Sequence, residues 1–263
     1  MGRWSHEVSA NWLEARKSVL TATDVSGLMP EYKRYLKRGD PDAISPGFAA
    51  LWCAKHTHGL ADTGSSDAAA RGHVMEPYAI GDWNMQASPT FYHWDDCVIR
   101  NGVLGFSPDA MTVRQAYVYP SMDVNAKGNA VIASGKYSLP APAEVMEVKC
   151  YSPEQHMKAI IEDRMEHKEL MQLAMAFAVL PNLEKARLLW YCPGAPCSMF
   201  TEEYTADDLH DQVRWIVEIA EVYVAQAKLC EKVASRYSAK HTEEEIWLDH
   251  LAYDVQGIFK LKG

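Results

Sequence analysis

No run of apolar residues in this chain approaches the roughly 20 that a membrane-spanning helix needs, so a membrane protein is not expected. The opening stretch, MGRWSHEVSANWLEARK, is polar and amphipathic and lacks the apolar centre of a secretory signal. Its Met-Gly start is followed by His6 where a myristoylation signal wants a small hydroxyl residue. Paired cysteines are missing too. The six Cys are scattered singly and only Cys192 and Cys197 lie close, a pattern that gives neither a disulfide framework nor zinc-ligand spacing. They read as reduced thiols, and the expected location is the cytoplasm. Basic charge is short as well: 26 Lys and Arg face 35 Asp and Glu, a formal net charge of −9. That excludes a general nucleic-acid coat protein, which needs cations against phosphate. It leaves room for a nuclease, which binds through a local patch and gathers carboxylates around metal ions. Internal repeats and low-complexity tails are absent.

What is present is an ordinary globular composition. With 263 residues, 48% hydrophobic and 23% charged, the chain can bury one large core, and a single domain over residues 1–263 is expected. SHEVSANWLEARKSVL reads as a helix. In TATDVSGLMPEYKRYLKRG, a short capped turn of helix is expected before a second helix that starts at Pro30 and ends at Gly39. FAALWCAKHTHG reads as a short helix, and SSDAAARGHVMEPYAIGDW as a longer one capped by Ser66 or Asp67. The texture then turns to short β-rich runs, TFYHW, CVIRNG, VLGFSPDAMTV and AEVMEVKC, punctuated by turn residues. Two helices, two strands (KARLLWYC and SMFTEEY) and a long helix capped by Thr205 follow, and a further helix, TEEEIWLDHLAYDVQGIF, closes the chain. This order suits an α/β fold with a central mixed β-sheet flanked by helices.

Four segments carry polar residues that their surroundings do not explain: Glu76 on a helix, Asp109 after a strand, Glu147 and Lys149 within EVMEVKC, and Gln172 on the next helix. Strand alternation puts Glu147 and Lys149 on one face and turns Val148 away. Each piece alone is commonplace, since charged strand residues are usually solvated and Ser-Pro-Asp is usually a turn. Their ordered combination fits phosphodiester hydrolysis. Carboxylates on adjacent strands converge on a hard cation such as Mg²⁺, a helical Glu shapes a second metal position, and a Lys on the same face orients or deprotonates water.

At these residues the chain resembles a known family. GFSPDAM, EVMEVKC and the helix around Gln172 look like the PD-(D/E)XK nuclease superfamily, and most like its lambda exonuclease and YqaJ-type viral recombinase branch. ARKSVLTATDV and RGHVMEPYA extend the likeness upstream. The resemblance implies a restriction-endonuclease-like core and a 5′-to-3′ exonuclease acting on double-stranded DNA ends. It also implies two Mg²⁺ ions (Mn²⁺ as a substitute), a homotrimeric ring and a single-strand annealing protein as partner. Carried over, Asp109, Glu147 and the Val148 carbonyl would be metal ligands, with Glu76 at the second metal. Lys149 would serve the attacking water, and Arg16 and Thr23 would hold a terminal 5′-phosphate. The family often has two Gln two residues apart after the Glu-x-Lys strand; here Leu170 replaces the first and only Gln172 remains, while His167 stands where Tyr is common.

Other features complete the reading. The stretch from Asp109 to Glu147 is longer than a hairpin needs, so residues at about 115–142 read as an insertion, with its own hairpin at Lys127-Gly128. Residues 205–263 read as a helical extension. Lys33, Arg34, Lys37 and Arg38 form a basic helical stripe that is a candidate contact to the DNA backbone. His73 reads as an ordinary helix histidine. Two alternatives stand beside the nuclease. An iron–sulfur relative would need four suitably arranged Cys, and a DNA-binding or assembly protein with a degenerate core would be expected to have lost one of the four charged site residues.

Overall fold

The computed structural model describes residues 10–17, 19–56, 67–94, 97–114, 121–124, 130–131, 138–139, 142–162 and 167–238. Four helices come first: α1 (Ala10–Lys17), α2 (Ala22–Arg38), α3 (Pro46–His56) and α4 (Asp67–Gln86). The strands β1 (Tyr92–His93), β2 (Val98–Asn101), β3 (Leu104–Phe106), β4 (Ala110–Met111), β5 (Ser121–Val124), β6 (Ala130–Val131), β7 (Ser138–Leu139) and β8 (Glu144–Lys149) follow. The chain continues through α5 (Pro153–Glu162), α6 (His167–Val179), β9 (Lys185–Tyr191), β10 (Met199–Tyr204) and α7 (His210–Ser238).

The strands form two sheets, ordered β1-β4-β8-β9-β10 and β3-β2-β5-β6-β7. In the first, β8 and β9 run parallel and the other pairs antiparallel. In the second, β2 and β5 are parallel and the rest antiparallel. Alternation along β8 sorts its side chains onto two cores. Val145 faces the cluster built with α2, α6 and α7, whereas Met146 and Val148 face Ala79, Ile80 and Trp83 of α4. Both faces of β8 are therefore covered, which is why its apolar residues run nearly continuously. Helix α6 buries Met171, Leu173, Ala174, Met175, Ala176 and Phe177. Apolar on almost every side, it is an interior helix. The result is a central sheet between helical layers, as expected from the sequence.

Three local expectations differ in detail. Segment 22–38 is one helix, with Pro30 in its interior. The start is fixed upstream, where Thr21 and Asp24 form a reciprocal capping box. Val25, Leu28 and Tyr32 are buried at helical spacing, and the Tyr32 hydroxyl donates to Glu218 of α7 at 2.9 Å. These contacts offset the hydrogen bond that Pro30 removes. The helix ends as expected at Gly39, with a left-handed φ of 67°. Thr205 does make the cap bonds, with Asp208, but they close a turn, and α7 begins at His210. The stretch read as an insertion contributes β5, which joins β2 in parallel, so it extends a sheet shared with the strands before it. Ser66, Lys127-Gly128 and the closing helix of the chain lie outside the described residues.

The entry to α2 is held from the sheet side. Leu20 N–H donates to the Val103 carbonyl at 2.7 Å, and Gly105 N–H to the Leu20 carbonyl at 2.9 Å. This approach requires glycine, because a Cβ on Gly105 would lie 2.2 Å from Val19 Cγ2. Among the described residues no helix is long and apolar enough to cross a membrane.

Candidate functional site

A cleft of about 520 Å³ opens where the end of β8 meets the starts of α2 and α5, and Arg16, Thr23, Glu76, Asp109, Glu147, Val148, Lys149 and Gln172 all line it. The sequence spreads these residues over most of the chain, and the fold brings them to one place. Asp109 sits just before β4, whose last ladder pair on this side is Ala110 with Met146. The next inward N–H of β8, that of Val148, has no strand residue to meet, and the Asp109 carboxylate accepts it at 2.7 Å. A strand residue's N–H and carbonyl point to the same edge, so the Val148 carbonyl faces the Asp109 side as well.

Glu147 is only 8% exposed at its side chain. Its Oε1 accepts from Lys149 Nζ at 2.5 Å and from Gln172 Nε2 at 2.8 Å. Gln172 therefore holds the carboxylate from α6 although its family partner position is Leu170. Glu144, on the same strand, points to the other face and pairs with buried Arg187 at 2.6 Å. That pair belongs to the scaffold: Arg187 also contacts Glu203 and lies over the Trp83 ring at 5.4 Å.

Electrostatics divide the acids. Burial, with Glu147 and Glu76 as like-charged neighbours, raises the Asp109 pKa well above the carboxylate range. Burial also opposes ionisation of Glu76, but hydrogen bonds and charge from His73 and His93 outweigh it and bring its pKa down to about 2. His73 Nδ1 is 3.4 Å from Glu76 Oε1 and His93 Nε2 is 3.8 Å from Oε2. Burial pulls the Lys149 pKa down, yet the charges of Glu147 and Asp109 prevail and raise it. The ammonium form of Lys149 is thus favoured.

Arg16 forms a wall of the cleft from α1, over the Trp12 ring at 4.6 Å. Burial lowers its pKa, against the attraction of Asp24 and Glu147. Lys55 of α3 ties this wall together, donating to Asp24 at 2.7 Å and to the Arg16 carbonyl at 3.3 Å. Thr23 is exposed in the first turn of α2 and faces the cleft.

The basic stripe is not gathered here. Lys33, Arg34, Lys37 and Arg38 are exposed on the far half of α2, at least about 15 Å along the axis from Thr23 at 1.5 Å per residue. Arg34 also pairs with Glu31 at 3.2 Å. Several residues in or beside the cleft escape the sequence reading. His93 reaches Glu76 from a two-residue strand. Ser107 accepts from Trp12 Nε1 at 3.1 Å and donates to the Cys97 carbonyl at 2.8 Å, and its position two residues before Asp109 was a usable signal. Arg71 and Gln155 line the cleft from α4 and α5, with nothing in the local sequence to mark them. His73 was read as ordinary and is a partner of Glu76.

Among the described residues no group of three or more His, Cys, Asp or Glu has the arrangement of a metal cage. The groups that could hold a cation are fewer: the Asp109 and Glu147 carboxylates and the Val148 carbonyl, with Glu76 lining the same cleft. The six Cys are all free thiols, and those described do not cluster as iron–sulfur ligands.

No protein-family model matches this chain, and no curated protein matches it. Solved structures do. LHK-Exo in complex with dAMP has a TM-score of 0.55 and 17% identity, covering 86% of this chain and 99% of its own. Another structure of this alkaline exonuclease, from Laribacter hongkongensis, has a TM-score of 0.53 and 15% identity over 86% and 99%. A phage-related exonuclease from Haemophilus somnus 129PT has a TM-score of 0.50 and 10% identity over 84% and 96%. The fold is thus similar to that of solved exonucleases along nearly their whole length.

Proposed function

We propose that this chain is a metal-dependent deoxyribonuclease that degrades linear double-stranded DNA from its ends, 5′ to 3′. The observation that carries the reading is the convergence of Asp109, Glu147 and Lys149 on one cleft that Arg16 also lines. The likeness to solved exonucleases supports it.

The donor set suits a small hard cation. Mg²⁺ keeps several waters and needs only one or two carboxylates, and Asp109, Glu147 and the Val148 carbonyl meet that need. Asp109 has Glu147 and Glu76 as like-charged neighbours and Lys149 as an opposing cation, a crowding that a divalent ion would relieve. Glu76 would serve a second ion, and Mn²⁺ would substitute for Mg²⁺. When bound, the ions polarise the scissile phosphate and lower the pKa of water.

The chain's own residues do the rest. Gln172 fixes the Glu147 carboxylate through its 2.8 Å hydrogen bond. Lys149 would orient the attacking water and offset charge developing on phosphate. His73 and His93 hold Glu76 ionised. Arg16 offers a guanidinium fork, and the start of α2 offers backbone N–H groups and the Thr23 hydroxyl, a suitable site for a terminal 5′-phosphate. Such an enzyme would prepare single strands for phage-type recombination, with a single-strand annealing protein as partner and a homotrimeric ring as its assembly. The alternative of a degenerate, DNA-binding core is disfavoured because none of Glu76, Asp109, Glu147 and Lys149 has been lost.

The test is digestion of end-labelled linear duplex bearing 5′-phosphate or 5′-hydroxyl ends, in Mg²⁺ and in EDTA. Mononucleotides released from 5′-phosphorylated ends in Mg²⁺ alone are the expected result. Arg16→Ala should shrink the advantage of phosphorylated ends. Intact duplex after prolonged incubation with Mg²⁺ or Mn²⁺ would leave only the binding reading.

A further inference from the structure

A second hollow of about 600 Å³ adjoins the cleft, and Tyr151 and Gln155 line both. Its other walls include Lys158 of α5, His167, Lys168 and Leu170 of α6, and Trp190 of β9. Trp190 is 2% exposed, its ring stacks on Phe200 at 5.0 Å, and its indole Nε1 is buried without a hydrogen-bond partner among the described residues. An indole N–H can only donate, so the wall holds a donor in want of an acceptor. Trp190 pairs in register with Lys149 on the parallel neighbouring strand. Their side chains therefore leave the same face of the sheet one strand apart, about 4.8 Å. The hydrogen bond between the Tyr151 hydroxyl and Glu169 marks the boundary between the two hollows.

We propose that this hollow is a second subsite for a nucleic-acid strand, receiving a nucleotide that adjoins the one held at Glu147 and Lys149. The proposal rests on the nuclease reading for the position of the scissile phosphate. The volume lies within the range of small-ligand pockets and accommodates one nucleotide. Once the Trp190 ring shifts toward the hollow, its Nε1–H meets an acceptor on the base or sugar, Leu170 and the ring edge cover the base, and the ammonium groups of Lys158 and Lys168 face the phosphate. Lys158 has a single long ion pair, with Glu162 at 3.9 Å, and its side chain is 68% exposed, so it can swing to a phosphate at little cost. A strand crossing the Tyr151–Gln155 boundary would thus be gripped on both sides of the chemistry.

Binding without hydrolysis tests this. A fluorescent single-stranded 12-mer is titrated in Ca²⁺ against wild type, the double variant Lys158→Gln/Lys168→Gln, and Trp190→Phe, each checked by thermal melting. The lysine variant should bind roughly tenfold more weakly, and its salt slope should fall by about 1.4, the value for two lost phosphate contacts to a single strand. Trp190→Phe should weaken binding with the salt slope unchanged, because it removes a neutral donor. Unaltered affinity and slope in the lysine variant would overturn the proposal even if Trp190→Phe failed to fold. Full displacement of the 12-mer by deoxyadenosine monophosphate in wild type, with no response in the lysine variant, would assign the hollow to released product and overturn it too. A wild type that binds the 12-mer in this way yet never cleaves duplex in Mg²⁺ would refute the nuclease reading and leave the subsite standing.

Discussion

Asp109 has two roles that one substitution can separate. Its carboxylate accepts the Val148 N–H and is also a proposed metal ligand. Asn keeps an acceptor oxygen and loses the charge, whereas Ala loses both. Asp109→Asn and Asp109→Ala should therefore both abolish hydrolysis, and only Asp109→Ala should also orphan a β8 donor, at about 1–3 kcal/mol. Single-turnover cleavage and denaturant melts measure the two effects; wild-type turnover in either variant would remove Asp109 from the site. Lys149 allows an equally sharp comparison. If it only decorated a strand, Lys149→Ala would move stability by no more than about 0.5 kcal/mol and leave turnover alone. In the proposed role it loses on the order of 10²-fold or more in single-turnover rate, while DNA binding in Ca²⁺ largely persists. Lys149→Arg should not restore the rate, since a planar guanidinium replaces a compact ammonium held 2.5 Å from Glu147.

The entry to α2 sets the position of one cleft wall, and Gly105 sets the entry. A methyl group there meets Val19 at 2.2 Å, so Gly105→Ala should cost about 1–3 kcal/mol by overpacking and shift Arg16 and Thr23 with the displaced segment. Thermal melting and the preference for 5′-phosphorylated ends should both respond; an unchanged melt would mean that Val19 yields freely. Glycine at that point is invisible to periodicity, because the contact is between segments far apart in the chain. The same limit explains the rest. Elements with strong internal signals were readable: the interior helix α6, the strand β8, the Gly39 stop. Pro30 misled because local chemistry favours a helix start at proline, while burial of Val25, Leu28 and Tyr32 carries the helix through it. Asp109, Glu147 and Lys149 are marked by a motif in the sequence, and the fold brings them to one cleft. Arg71 reaches the cleft, and His93 reaches Glu76, by tertiary packing alone, and no local pattern announces them.

For the molecule as a whole, a net charge of −9 and an acid-lined cleft lead to the expectation that divalent ions act as a stabilising ligand by mass action. At a hundredfold excess over its dissociation constant, a bound ion adds about 2.7 kcal/mol, which for a chain of this size raises the melting midpoint by several degrees. Ca²⁺ should produce that rise in wild type, EDTA should reverse it, and Asp109→Asn should abolish it. A rise of equal size in Asp109→Asn would locate the ion elsewhere. The bridge between Leu20 and β3 has a consequence for solubility. The backbone groups it occupies lie on Gly105 of an outer strand and on Val103 just before it, beside the buried side chains of Leu104 and Phe106. Removing the chain up to Leu20 would bare a sticky sheet margin able to recruit strands from other molecules, so a truncated protein would be lost to aggregation before its missing Arg16 could be noticed.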